Sequence, residues 1–310
     1  MSVLNQTYKN IEVIIVNDST PDNSILKVKD VLKSYADMAD KVRIVNHPIN
    51  LGLANARNTG VMNATGDFIV HLDSDDFIET NTIECCIKTI IENKADAVVF
   101  GMRHIFGNGS VVEHIAIPYN KTDYINQLIK RKTIVCMCGG IYSRYLYTSY
   151  DVWAISGLNM GEDYSTKPRL LYNAKHIVAL DMPLYNYNHT NEGSYTRTFA
   201  KKHIEDITKA VTVLTEFFGK KDDAELYSLS LRQAALSSKI LLLKNWALAP
   251  IDMDTYTKIR SLYSDIPHNV LPSKIDKLIL NLSDKGLVRL LRCLVCVGFS
   301  IKAVLKKSQK

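Results

Sequence analysis

Asp73, Asp75 and Asp76 fall within four positions, directly behind the apolar run of residues 68–72. Carboxylates packed this closely repel, and each titrates upward unless a cation stands beside it. A divalent metal with oxygen ligands, bridging to the phosphates of a substrate, removes that repulsion. The plainer reading is a solvated strand-to-turn cluster in which Asp76 caps the next helix. The residues around the cluster decide between the two.

An apolar run that ends in acids reads as a buried strand whose carboxyl end faces a ligand, the usual place for binding in open α/β sheets. Residues 12–16, Glu-Val-Ile-Ile-Val, form a β-branched run that predicts a central strand, followed by the turn cluster of residues 17–24. Helical spacing predicts a helix over 25–36, a strand over 42–45, and a helix over 52–64 with Ala54, Ala56 and Val61 inward. The acid-ended strand follows, then a helix over 80–93 and a strand over 95–100. This alternation predicts an α/β fold, a doubly wound and mostly parallel sheet. Farther along, 103–118 reads as a hairpin turning at Gly107-Asn108-Gly109. Residues 123–132 and 167–174 read as helices, 151–166 as a polar loop, and 176–180 as a strand. From about Lys201 the chain reads as helices, so the domain boundaries are placed at 1–200 and 201–310.

The 310 residues are 46% hydrophobic and 23% charged, the composition of a globular protein with a real core. A net charge of +6 favours an anionic partner such as a nucleotide, a phospholipid or a nucleic acid. Residues 1–6 do not read as a secretion signal, and no stretch reads as a membrane span. The six cysteines are therefore expected as thiols. Cys293 and Cys296 have the spacing of half a zinc site without a second pair nearby, which favours ordinary buried thiols. Residues 287–305 alternate apolar clusters with Arg289, Arg292 and Lys302 before a lysine-rich end. That pattern suits a helix lying on an anionic membrane face, or a core-packed helix with a solvated basic tip.

Four motifs stand in a fixed order: Ser2-Val3-Leu4-Asn5-Gln6-Thr7-Tyr8; Val16-Asn17-Asp18-Ser19-Thr20; Asn50-Leu51-Gly52-Leu53-Ala54-Asn55-Ala56-Arg57-Asn58-Thr59-Gly60; and Leu72-Asp73-Ser74-Asp75-Asp76. Together they resemble the family 2 glycosyltransferases with the GT-A (Rossmann-like) fold, closely over residues 2–97 and more thinly to residue 198. The resemblance implies an inverting transfer of a sugar from a nucleoside-diphosphate sugar, a UDP-sugar foremost, to a glycan or lipid-linked saccharide in surface polysaccharide synthesis. It implies that Asp18 accepts a hydrogen bond from the nucleotide base and that Arg57 faces the nucleotide, where a guanidinium fork suits a base edge or phosphate oxygens. Asp73-Ser74-Asp75 matches the family's DxD motif. Asp73 would contact the ribose or metal, and Asp75 would hold Mg²⁺ or Mn²⁺ against the diphosphate, with Ser74 on the same nucleotide-sugar side. Glu162-Asp163 matches the acceptor-side acid pair, with Asp163 as base and Glu162 as support. Ser194-Tyr195-Thr196-Arg197 resembles a loop near the diphosphate, making Arg197 a phosphate contact and His189 a weaker one for metal or phosphate.

No nucleic-acid partner is implied, and the expected location is cytoplasmic, at the inner face of the membrane. The chain departs from the family at its start, where relatives carry a further central strand, so a truncated start with weakened donor binding is expected. Two other functions compete. One is a catalytically impaired, non-catalytic binding or assembly module. The other is a sugar-nucleotide-forming nucleotidyltransferase, which would release pyrophosphate in place of a nucleoside diphosphate.

Overall fold

The computed structural model describes residues 1–115, 120–190, 202–249 and 252–308, with side chains up to residue 298. The chain divides into two units, Met1–Arg197 and Thr198–Lys310.

The first unit is α/β. Strand β1 (Val13–Asn17) is the β-branched run, stiff at χ1 and suited to a pleated sheet. After α1 (Ser24–Lys33) and α2 (Ala36–Ala39) the chain returns as β2 (Val42–Asn46), which pairs with β1 in parallel, Val13 opposite Val42 and Asn17 opposite Asn46. These two strands form one sheet. Helix α3 (Leu53–Asn63) follows, burying Ala54 and Val61, while Ala56 is only half-buried.

The second sheet has six strands. They are β3 (Phe68–Val70), β4 (Phe77–Ile78), β5 (Ala97–Phe106), β6 (Gly109–Glu113), β7 (Gly140–Ser143) and β8 (Ile177–Asn188), ordered β3-β7-β5-β8-β4 with β6 paired to β5. Its helices are α4 (Thr82–Asn93), α5 (Lys121–Ile129), α6 (Tyr145–Thr148) and α7 (Glu162–Tyr172). The α/β class holds, but the strand directions differ from the mostly parallel expectation. Only β5 and β8 run parallel here, and the pairs β3/β7, β5/β7, β5/β6 and β4/β8 are antiparallel. The reason is local. The 107–108 turn folds β6 straight back on β5, and β7 enters between β3 and β5 against both. The core lies on this sheet: Ala97, Val98, Val99 and Phe100 are fully buried, with Tyr142 and Tyr185 beside them in sequence-distant strands.

The second unit is helical: α8 (Lys202–Gly219), α9 (Glu225–Leu248), α10 (Met253–Ser261), α11 (Lys274–Asp284) and α12 (Val288–Ser308). Trp246 and Tyr256 stack with ring centroids 4.7 Å apart, and Trp246 donates to the Asp252 carbonyl. Along α12, Leu291 and Val295 are buried, whereas Leu290 and Val297 are exposed. Cys293 and Cys296 are exposed as well, not buried as the sequence suggested, because they fall on the outer side of this amphipathic helix. Among the described residues, no group of three His, Cys, Asp or Glu side chains gathers to hold a metal, and no helix is long and apolar enough to cross a membrane.

Candidate active site

Arg57 is the centre of the site. It lies on α3, its side chain 9% exposed, and its Nη2 reaches three carboxylates: Asp73 at 3.1 Å, Asp163 at 3.4 Å and Glu162 at 3.6 Å. Burial alone would disfavour the guanidinium charge, but Asp163, the Cys138 sulfur, Asp73 and Glu162 together hold it charged well beyond the usual arginine range. Three sequence motifs far apart in the chain thus meet at one cation. Removing that cation would leave buried carboxylates unpaired, which is far costlier than losing a surface pair.

The acids arrive on different elements. Asp73 sits just past the end of β3, where burial first, and then Asp163 and Asp75, push its carboxyl above the ordinary range against the pull of Arg57. Glu162 and Asp163 open α7, behind Gly161 at φ +97°, a conformation that glycine adopts without strain. The sequence predicts this helix over 167–174, with the acids in the polar loop of 151–166. The helix instead begins at Glu162 and carries Pro168 inside it. Both acids therefore occupy a first helical turn, where the helix dipole favours negative charge. Burial, then the neighbouring Asp163, push Glu162 up to about 8, with Arg57 opposing. At neutral pH Glu162 keeps its proton and hydrogen-bonds Asp163.

The walls are polar and aromatic. Asn58 clamps the backbone at residue 154, its amide donating to the Ala154 carbonyl at 2.8 Å and accepting from the Ala154 N–H at 2.9 Å. Gly52 opens α3 at φ +85°, and a Cβ there would lie 2.6 Å from Asn159 Oδ1, so a larger residue would strain the backbone and displace the Asn159 side chain. His71 is buried against Tyr147, with Nε2 and the tyrosine hydroxyl 2.9 Å apart. Burial and Arg57 together depress it to about 3, so it is neutral. The Cys138 sulfur accepts from Arg57 Nη1 at 3.9 Å, and the buried Lys167 ammonium donates to the carbonyls of Ile134 and Cys136 at 2.9 Å each. Arg57 Nε, Asp163 Oδ1 and Thr166 Oγ1 are buried around a small cavity without hydrogen-bond partners among the described residues, as groups that serve a substrate or water often are.

Asp18 stands in a separate network at the end of β1. Its Oδ1 accepts from the Leu51 N–H and His47 Nδ1, and its Oδ2 from the Gly52 N–H. Burial works against its charge, but the three donors prevail and hold the carboxyl below its usual range. Ser74 and Asp75 are exposed at the tip of the acid loop. Asp76 does not cap the next helix: Asn81 precedes α4, and Asp76 instead accepts from Tyr185 Oη at 2.6 Å and the Asn188 N–H at 2.7 Å. His189 lies beside His104, 3.0 Å between ring nitrogens. Arg197 and the rest of its motif lie outside the described residues. His47, His71, Cys138, Tyr147, Lys167 and Tyr185 escaped the sequence reading. As single residues outside any motif they carried no pattern, and only the fold brings them together.

The donor set suits a hard divalent cation. Asp73 and Asp75 offer oxygen ligands only, and two carboxylates are the usual protein share for Mg²⁺, which takes its other ligands from substrate phosphates and water.

Comparison with known proteins fits this geometry. The family model described as "Glycosyl transferase family 2" matches residues 1–150. Glycosyltransferase GlyA of Streptococcus pneumoniae is 29% identical over 227 residues, covering 68% of this chain but only 31% of GlyA, so the chain spans about a third of that relative. An Escherichia coli protein named UDP-Glc:alpha-D-GlcNAc-diphosphoundecaprenol beta-1,3-glucosyltransferase WfgD is 33% identical over 136 residues, 44% of this chain and 50% of WfgD. Among solved structures, residues 1–349 of Staphylococcus aureus TarS in complex with UDP-GlcNAc align with a TM-score of 0.71 at 17% identity, over 95% of this chain and 84% of that one. Motif order, fold and matched family model agree: residues 1–150 match glycosyl transferase family 2, and the chain has the GT-A fold.

Proposed function

We propose that the chain transfers a sugar, with inversion, from a UDP-sugar to a saccharide or lipid-linked saccharide. The observation that carries this reading is the meeting of Arg57, Asp73, Glu162 and Asp163, nucleotide-side and acceptor-side motifs around one buried guanidinium. The acceptor hydroxyl attacks the anomeric carbon from the face opposite the nucleotide. Its proton passes to Asp163, and the bond to the diphosphate oxygen breaks. Glu162 holds its own proton and orients Asp163. Arg57 leaves one carboxylate partner to meet the diphosphate, for which its planar fork is suited. Asp73 and Asp75 would hold Mg²⁺ or Mn²⁺, which offsets charge on the departing diphosphate when bound. Asp18 reads the base: its Oδ2 takes one internal donor, and a carboxylate oxygen accepts two.

The name of WfgD, and the exposed apolar residues Leu290, Cys293 and Val297 recurring at helical spacing along α12 beside exposed Arg289, support a lipid-linked acceptor met at an anionic membrane face. The direct test is calorimetric titration of UDP with and without Mn²⁺, followed by UDP release from a panel of UDP-sugars with saccharide and lipid-linked acceptors. Metal-dependent binding and acceptor-dependent UDP release are expected. Release of pyrophosphate, or binding without any turnover, would replace this reading with the nucleotidyltransferase or the binding module.

A further inference from the structure

His47 takes no part in the transfer derived above, yet it is the best-connected imidazole of the first sheet. It follows β2, its backbone N–H donates to the Asn17 carbonyl at 2.9 Å, and its side chain is 7% exposed. Nδ1 lies 2.7 Å from Asp18 Oδ1, and Nε2 lies 2.9 Å from Thr59 Oγ1. An ionised carboxylate only accepts, so the proton is on Nδ1. Nε2 meets the Thr59 hydroxyl, which can donate to a ring nitrogen or accept from it. Asp18 stays ionised because its three donors outweigh its burial. Thr59 stands on α3, two positions after Arg57. One ring thus links the loop after β1, which carries Asp18, to the helix that carries the central guanidinium.

We propose that His47 is a positioning residue for the nucleotide: it orients the Asp18 carboxylate toward the base and ties it, through Thr59, to the helix of Arg57. This rests on the reading of the chain as a UDP-sugar transferase. The ring touches neither base nor sugar, so its effect falls on donor binding. Leu51 and Gly52 also donate to Asp18. They fix the carboxylate from the loop side, and His47 fixes it from the sheet side.

The test is calorimetric titration of UDP with Mn²⁺ into the full chain, into His47→Ala, His47→Asn and His47→Gln, and into Asp18→Ala with and without His47→Ala. Loss of one hydrogen bond to a charged group weakens binding roughly tenfold to a hundredfold. That loss is expected for His47→Ala, with kcat at saturating donor changed less than KM. An asparagine amide reaches the Nδ1 position and a glutamine amide only the Nε2 position, so His47→Asn should recover most of the affinity and His47→Gln little. In the Asp18→Ala background, His47→Ala should cost nothing further. Equal UDP affinity for His47→Ala and the wild type overturns the proposal. So does an equal loss with and without Asp18, or recovery by glutamine in place of asparagine. Should the wild type itself fail to bind UDP, the donor reading falls. The ¹⁵N shifts of the His47 ring in the free protein then decide its own role: a proton on Nδ1 supports the link to Asp18, and a proton on Nε2 overturns it.

Discussion

Strands β1 and β5 begin from nearly the same chemistry and end in different surroundings. Val13-Ile14-Ile15-Val16 and Ala97-Val98-Val99-Phe100 are both unbroken apolar runs. Every residue of β1 is only half-buried, whereas the first six of β5 are buried. The difference lies in the neighbours. β5 is flanked by β7 and β6 on one side and β8 on the other, while β1 pairs with β2 alone. Helix α1, which follows β1, buries no residue and leaves Leu26 64% exposed. An apolar run therefore specifies a strand, and the packing around it specifies how much that strand stabilises. The candidate site straddles this contrast: Asp18 stands at the end of the less buried strand, and the acids stand on the well-packed sheet and its helix.

The largest effects should fall on the buried acids. Asp163→Asn is expected to lower transfer by about 10²- to 10⁴-fold, the usual worth of a positioned base, while UDP affinity stays close to wild type. Initial rates and titration calorimetry check both halves, and full transfer would remove Asp163 from the base role. Next comes Arg57→Ala, which strands three carboxylates and should cost about 3–5 kcal/mol of stability in urea unfolding. A cost under about 1 kcal/mol would mean that the cluster is solvated in solution.

A matched pair of substitutions tests the two sheets directly. Ile141→Ala, at a side chain 2% exposed in β7, should cost about 3 kcal/mol, and Ile15→Ala in β1 about half as much. Equal costs would mean that β1 is as well packed as the central sheet. The last test concerns pH. Glu162 is raised from 4.5 to about 8 in the folded chain, so its contribution to stability is complete below about 4.5 and is lost as the pH rises through about 8. Glu162→Gln fixes the neutral form. Wild-type stability should therefore fall relative to this variant between those limits, followed as Tm against pH. Parallel profiles would place the Glu162 titration outside that window.

Much of this was legible in the chain. The order of the four motifs carried the family and the fold. The β-branched run and the acid-ended run placed two strands within a residue or two. The motifs singled out Asp18, Arg57 and the DxD acids as candidates. Strand direction was not legible, because helix–strand alternation says nothing about the strand that inserts as β7 between two others. Nor was the start of α7, because the polar residues 151–166 read as a loop. The walls of the site were invisible for a different reason. His71 and Lys167 are ionisable groups set among apolar residues, and only tertiary contact shows that one is held neutral and that the other spends its donors on the carbonyls of Ile134 and Cys136.

Asp76 gives the site a mechanical property. Its two oxygens take the Tyr185 hydroxyl and the Asn188 N–H, so the acid loop is bolted at two points to the last turn of pleat in β8. Hydrogen bonds to a carboxylate are short and strong, and two on one group resist rotation as well as separation. The loop and the strand end therefore behave as a single lever. Any tilt of Asp73 and Asp75 as they take up charge from a ligand must pull on Tyr185 and Asn188, delivering that motion to the chain immediately beyond β8.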